Sequence, residues 1–305
     1  MNRLSLSILT LFITLIAAGQ LIPPEDHYLY DAQVINPAYA GSQDALSVTL
    51  LYRNQWTGFR DAPKDQLLSV HAPLHNDRIG LGLAAEHQSI GIFSKNIILG
   101  QYAFRIELGR GVLAMGLGFG VASFRNAWND LEINDENDEK LINNLSSVIL
   151  PAFSIGTYYY GRKYYIGISL PAYLGYHVDQ YAGGKKINSD FASYNYFLTG
   201  GYRFELSRNI RFLPSFVLRY QPETNLQADL RAQLGISDRI WLGIGYRNEE
   251  MLTGLFRCRI SDQLRVSYSY IYYTGGYGKY LNGTQEVMLN YVFRYERYVN
   301  SPRNF

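Results

Sequence analysis

From about residue 44 to its last few residues the chain repeats one pattern, apolar residues at every second position in segments separated by turns. Period two is the mark of a β-strand, whose successive side chains point to opposite faces of a sheet. Val48, Leu50 and Tyr52 alternate with Thr49 and Arg53, and Leu81 and Leu83 with Gly80, Gly82 and Ala84. Tyr164, Ile166, Ile168 and Leu170 alternate with Tyr165, Gly167 and Ser169. The pattern returns in Ile240 to Arg247, Leu264 to Tyr270 and Val287 to Phe293. About fourteen such segments occur, each near the roughly 9–11 residues that a tilted strand needs to cross a bilayer. No amphipathic helix interrupts them.

One segment fixes the surroundings. In GVLAMGLGFGVASF, residues 111–124, Leu113, Met115, Leu117, Phe119 and Val121 fall on one face, and Ala114, Gly116, Gly118, Gly120 and Ala122 on the other. A soluble sandwich would forfeit core contacts along that bare face, and interior glycines weaken a strand. In a closed membrane barrel lipid covers the oily face, and closure satisfies every backbone group. The bare face then looks into a lumen and leaves space for water, a plug or a threaded polypeptide. The expected fold is all-β, a closed antiparallel transmembrane β-barrel of about 14 strands of the outer-membrane type.

The connections support this. Those at 75–78, 109–111, 161–163, 207–209, 237–239 and 261–263 are tight polar turns, whereas 57–64, 88–94, 126–147, 176–190 and 274–282 read as longer, variable loops. Short periplasmic turns and long extracellular loops are the outer-membrane pattern, and an even strand number puts both chain ends on the periplasmic side.

Composition agrees with a membrane wall. Charged residues make up 18% of the chain, below the usual quarter or so, and the 27 tyrosines outnumber the 15 phenylalanines, which suits sites apolar at one end and wet at the other. A net charge of +2 gives no electrostatic case for nucleic acid. The single cysteine, Cys258, permits no intrachain disulfide and shares the lipid-facing parity of Phe256 and Ile260. MNRLSLSILTLFITLIAAGQ reads as a signal peptide over residues 1–19, with Gln20 where a lipoprotein would need cysteine. The expected mature organisation is an N-terminal periplasmic or lumen segment at 20–42, an outer-membrane barrel at 43–296 and a periplasmic tail at 297–305.

Little points to chemistry. The inward parity collects Arg53, Arg105, Arg203, Arg219, Arg231, Arg247, Arg257, Arg259 and Arg265, with Glu86 and Asp229 among the few acids. These groups either grip an anionic or carboxylate-bearing segment or form a structural network with acids from a folded-in loop; barrel lumens are polar by default, which favours the network. The six carboxylates of residues 130–139 lack the ligand spacing and central glycine of a calcium loop and read as a solvated surface. Gly116 to Gly120 mimics a phosphate-binding run without the helix that would complete it. Ser69 and His71 share a face, the one hint of a lipid-modifying hydrolase, but they point inward beside Leu67 with no third group. Neither an enzyme, a cofactor nor a metal is expected.

The order Asn36-Pro37-Ala38-Tyr39-Ala40-Gly41, then Arg53, Gln55, Trp56 and Gly58-Phe59, then Ala62-Pro63, SVHAPL at 69–74 and GLGL at 80–83 resembles the PorP/SprF family of type IX secretion-associated outer-membrane proteins of the Bacteroidetes. The resemblance continues in Pro214-Ser215-Phe216, Gln227-Ala228-Asp229, residues 238–247, Tyr268-Ser269-Tyr270 and residues 286–293. The chain departs from the family in Ile271, where an aspartate is common, and in Gln285-Glu286, where a His-Glu pair is common. The resemblance implies a non-enzymatic barrel in the outer-membrane lipid. Its partners would be type IX secretion components and the C-terminal domains of secreted adhesins at the cell surface, with a link to gliding motility. The alternative is a porin or small-solute channel. A further cluster, Trp56, Phe59 and Arg60 with Arg53 below them, falls at the extracellular end of the first strand. It is a candidate contact for a partner's carboxylates and apolar edges, unless Trp56 is a belt residue and Arg53 a brace of the interior.

Overall fold

The computed structural model describes residues 28, 31–43, 45–74, 77–126, 148–171, 176–181, 184–189, 195–221, 226–248, 251–279 and 282–293. The expected signal peptide at 1–19, the acidic segment at 130–139 and the expected tail at 297–305 lie outside them. The wall begins with β1 (Leu46–Asn54), β2 (Lys64–Pro73), β3 (Ile79–Ile90), β4 (Phe93–Leu108), β5 (Gly111–Asn126), β6 (Val148–Tyr160) and β7 (Tyr164–Leu170). A separate hairpin, β8 (Tyr176–Tyr181) and β9 (Gly184–Ser189), pairs only with itself. The wall resumes with β10 (Tyr196–Tyr202) and β11 (Phe204–Glu205), one strand interrupted at Arg203, and then β12 (Ile210–Tyr220) and β13 (Gln227–Ile236). It ends with β14 (Ile240–Arg247), β15 (Met251–Arg259), β16 (Leu264–Tyr273) and β17 (Thr284–Phe293).

Every wall strand pairs antiparallel with its neighbours, and the sheet closes on itself. β1 pairs with both β2 and β17, from Leu46 opposite Phe293 to Asn54 opposite Gln285, and β10 pairs with both β7 and β12. Counting β10 and β11 together gives a closed barrel of 14 strands. Closure leaves no exposed edge at the β1–β17 seam, the condition under which a sheet is tolerated in lipid.

The alternation holds its register. On β5, Leu117 is 58% and Phe119 63% exposed, while Ala114 and Ala122 on the other parity are fully buried. Cys258 continues the outward parity of Phe256 and Ile260, both exposed. Leu117→Cys is therefore expected to react with a lipid-soluble maleimide in reconstituted vesicles and to resist a charged one. Equal labelling by the two reagents would overturn the register.

The tight turns fall where expected, at one end of the barrel. One loop does not. The connection expected to be long at 88–94 is a two-residue hairpin turn, because β3 runs to Ile90 and β4 begins at Phe93. Gly91 has a φ of +54°, which only glycine adopts freely, and its N–H donates to Asp61 O at 2.9 Å. Polar residues such as His87, Gln88, Ser89 and Ser94 imitated a loop, although they sit in ladder register above the apolar band.

Candidate functional site

Fourteen strands enclose more space than wall side chains fill, since barrels of about eight strands are filled by their own residues and those of 16–18 leave a channel. Here the chain fills that space with its own beginning. Two 3-10 turns, Ala32–Val34 and Pro37–Tyr39, lie against the inner faces of β3 to β6. Asp31 caps the first through a bond to Gln33 N, and Asn36 caps the second through a bond to Ala38 N, with Pro37 at its first position.

The wall is shaped to receive this segment. A Cβ at Gly116 would overlap the Pro37–Ala38 backbone, and one at Gly80 would overlap the Ala40 carbonyl. That is the use of the bare face of β5 at Gly116. Polar bonds complete the seat. Ser69 Oγ donates to Gln33 Oε1 at 2.8 Å, Gln101 Nε2 donates to Gln33 O at 3.2 Å and Gln33 Nε2 donates to Val70 O at 3.3 Å. Asn36 Nδ2 donates to Thr157 O at 2.9 Å and Ser169 Oγ to Ile35 O at 2.6 Å. Gly41, with a φ of +70°, donates its N–H to His71 Nδ1 at 3.1 Å, and Arg105 donates to the Ala40 carbonyl. The Tyr39 ring meets His71 and Tyr158 edge-on, at centroid distances of 5.6 and 5.8 Å. From the other end of the barrel Pro171, buried where β7 stops, lines a narrow cavity with Val34, Leu67 and Leu99.

Ser69 and His71 are thus both buried and both bonded to the inserted segment. Gln33, fully buried at the centre of the seat, was not legible in the alternation, because it precedes the first strand.

Among the described residues the arginines meet acids of the wall itself. Asp229 accepts from Arg231 at 2.8 and 2.9 Å and from Arg247 at 2.7 Å, all three buried. The Arg231 guanidinium stacks over the Tyr28 ring at 4.5 Å, tying this brace to the inserted segment. Arg53 is fully buried, with Glu286 and Asp65 directly opposite it on the two neighbouring strands and Glu286 Oε2 3.9 Å away. Neither acid was counted among the lumen-facing charges in the sequence, although both positions follow once β1 pairs with β17 and with β2.

Arg219 donates to Asn195 Oδ1 at 2.9 Å, and Arg265 to Asn290 Oδ1 at 3.4 Å. Glu86 pairs with Lys95 at 3.6 Å. Arg257 is buried on the inner face, while Arg259 and Arg203 are half-buried at the short-turn end, where Arg203 donates to Arg162 O at 2.8 Å.

The motif around Trp56 locks the seam. In the amide orientation that satisfies both groups, Gln55 Oε1 accepts from Arg53 at 2.9 and 3.3 Å. Gln55 N donates to Pro63 O at 2.9 Å and Thr57 N to Gly283 O at 3.0 Å. Trp56 is held at a φ of 46°, a conformation costing about 1–3 kcal/mol that persists only where neighbours fix it. Gly58, with a φ of +100°, lies against Asn282. The rim cluster therefore divides. Arg53 belongs to the interior and Trp56 is half-buried in the β1–β2 loop, while Phe59, 49% exposed, and Arg60 project from the end. Arg60 lies 3.6 Å from Asp61.

A closed antiparallel barrel with an oily exterior, a braced polar interior and its own N-terminal segment seated inside defines an internally plugged outer-membrane protein. The family profile described as type IX secretion system membrane protein PorP/SprF matches residues 17–291, and the chain belongs to that family. No curated protein matches it. Among solved structures it is similar to the Acinetobacter baumannii outer membrane protein Omp33, at 7% identity and a TM-score of 0.48, over 82% of this chain and 98% of that one. It is also similar to the KdgM porin, at 8% identity and a TM-score of 0.35, over 81% and 99%. A third similar structure is the outer membrane phospholipase A from Escherichia coli, at 10% identity and a TM-score of 0.37, over 82% and 92%.

Proposed function

We propose that this barrel acts in type IX secretion as a non-enzymatic partner that accompanies or anchors secreted cargo through its C-terminal domain, and that it is not a solute channel. The observation that carries this reading is the seat of residues 31–43, which occupies the lumen with bonds to β2, β4, β6 and β7. A channel must hold water there, whereas an anchoring barrel needs only a rigid frame for its ends. The exposed Phe59 and Arg60 on the loop locked to the β1–β17 seam offer an apolar edge and a guanidinium, which suit a partner's carboxylates.

The test uses cells expressing the barrel with a type IX cargo. Phe59→Ala together with Arg60→Ala is expected to leave a folded, heat-modifiable barrel in the outer membrane while surface-held cargo falls several-fold and appears in the medium. Cargo that stays attached at the wild-type level would remove these two residues from the contact. Loss of secretion itself, with cargo trapped in the periplasm, would assign the barrel to translocation instead of anchoring.

A further inference from the structure

The long-loop end of the barrel carries an aromatic belt on its lipid-facing side. Tyr52 on β1, Tyr220 on β12, Tyr246 on β14 and Tyr272 on β16 stand near the ends of their strands, each at least 44% exposed. Such side chains, with an apolar body and a polar tip, mark a membrane–water boundary. On β2 to β5 the belt is replaced. The row that begins at Tyr52 continues in ladder register through Gln66, His87, Asn96 and Ser123, all of outward parity. The next row toward the loops runs through Lys64, Ser89, Ser94 and Arg125 on the same face. Neither row contains an acid. The acids at this end of β2 to β5, Asp65 and Glu86, have the inward parity, where Asp65 accepts from Gln88 at 2.6 Å and Glu86 pairs with Lys95 at 3.6 Å. Lys64 and Arg125 are exposed and have no ion-pair partner among the described residues.

Below this patch the outer wall is notched. Leu50, Leu68, Ala85 and Ile98 form the outward row beneath it, with Leu289 beyond Leu50. The small Ala85 opens a groove of about 480 Å³ between Leu50, Tyr52 and Leu289 on one side and Ile98 on the other. Leu50, Ile98 and Leu289 are at least 43% exposed, whereas their inward neighbours Leu51, Leu67 and Ile97 are buried behind the strands. The groove therefore opens on the hydrocarbon and not on the lumen. Gln66, His87 and Asn96 line its upper end. His87 Nδ1 donates to Asn96 Oδ1 at 2.7 Å, since an amide oxygen only accepts. That bond leaves the N–H groups of the Asn96 amide for an outside acceptor.

We infer that this face binds a phosphorylated lipid of the outer leaflet, with an acyl chain in the groove over Ala85 and the phosphate against the two polar rows. An amphiphile meets both halves of the surface, hydrocarbon where Ala85 leaves room and an anion where two cations face outward among amide and hydroxyl donors. Lys64 and Arg125 stand three strand spacings apart, roughly 14 Å, within reach of one headgroup from either side.

The test is native mass spectrometry of the delipidated full-length barrel in detergent, titrated with phosphatidic acid or with diacylglycerol of identical tails. The wild type is expected to retain phosphatidic acid in preference to diacylglycerol. Lys64→Gln with Arg125→Gln is expected to weaken retention of phosphatidic acid by about ten-fold. Arg208→Gln with Arg239→Gln, exposed arginines at the opposite end, is expected to leave it unchanged. Ala85→Trp, which fills the groove, is expected to weaken retention of both lipids, and the variant at Lys64 and Arg125 carries the test if Ala85→Trp does not fold. Equal retention of both lipids by the wild type, undiminished retention in the folded double variant, or full displacement by inorganic phosphate would each overturn the assignment, the last by showing a site for free anions. A photo-reactive residue at position 85 that cross-links a protein and no lipid in intact outer membranes would also overturn it, by giving this face to a partner.

Discussion

Removing residues 28–43 from the exported chain is expected to convert a closed barrel into a conducting one. The intact protein in a planar bilayer should show little steady conductance, because Gln33, Ile35, Asn36, Ala38 and Ala40 are buried across the lumen and held by bonds to the wall worth about 1 kcal/mol net apiece. The wall does not depend on that segment for its ladder, since β1 pairs with β2 and β17 without it. Deletion should leave a heat-modifiable barrel whose inner glycines and serines face water, and long-lived channels should appear. A silent deletion variant that remains folded would mean that other parts of the chain close the lumen unaided. Gly116→Val should give a milder version, because its side chain would collide with the Pro37–Ala38 backbone and unseat the turn.

Asp229→Ala should be the most destabilising single change in the wall. It removes the carboxylate that Arg231 and Arg247, at 3% and 2% exposure, both contact within 3 Å. Breaking a buried ion pair from one side typically costs about 3–5 kcal/mol, which should appear as a lower urea midpoint for the folded, heat-modifiable form in detergent. Adding Arg231→Met and Arg247→Met to the same chain should recover much of that loss, because the two buried charges that lost this carboxylate go with them. If the triple variant is less stable than Asp229→Ala alone, the arginines contribute through packing, with the stack on Tyr28 the first place to look.

The wall was legible in the sequence because period two is a local signal. Each strand's alternation, such as Leu113 to Val121 against Gly116 to Gly120, states its two environments without reference to the rest of the chain. The resemblance to the family was equally legible, but what its motifs do was not. NPAYAG reads as a turn anywhere; only the structure places it against Gly80 and Gly116 and bonds it to His71. The pairs SVHAPL with NPAYAG, and Arg53 with Glu286, join residues that are far apart in sequence, and no periodicity reports such a meeting. Polarity misled at residues 88–94, where strand ends beyond the apolar band carry loop-like residues.

The position of the inserted segment in the chain has a consequence for assembly. The barrel seam joins its first wall strand to its last, Leu46 to Phe293, and a contact of that sequence separation is the slowest to form. Residues 31–43 come before that first strand, so they can reach Gly80, Gly116 and Ser169 while the sheet is still open. In the finished barrel β2 to β7 surround this segment, which precedes all of them in sequence. A segment that enters before closure meets an open sheet at Gly80 and Gly116, whereas one that enters afterwards must bring the bulk of Tyr39 and Pro37 into a finished ring.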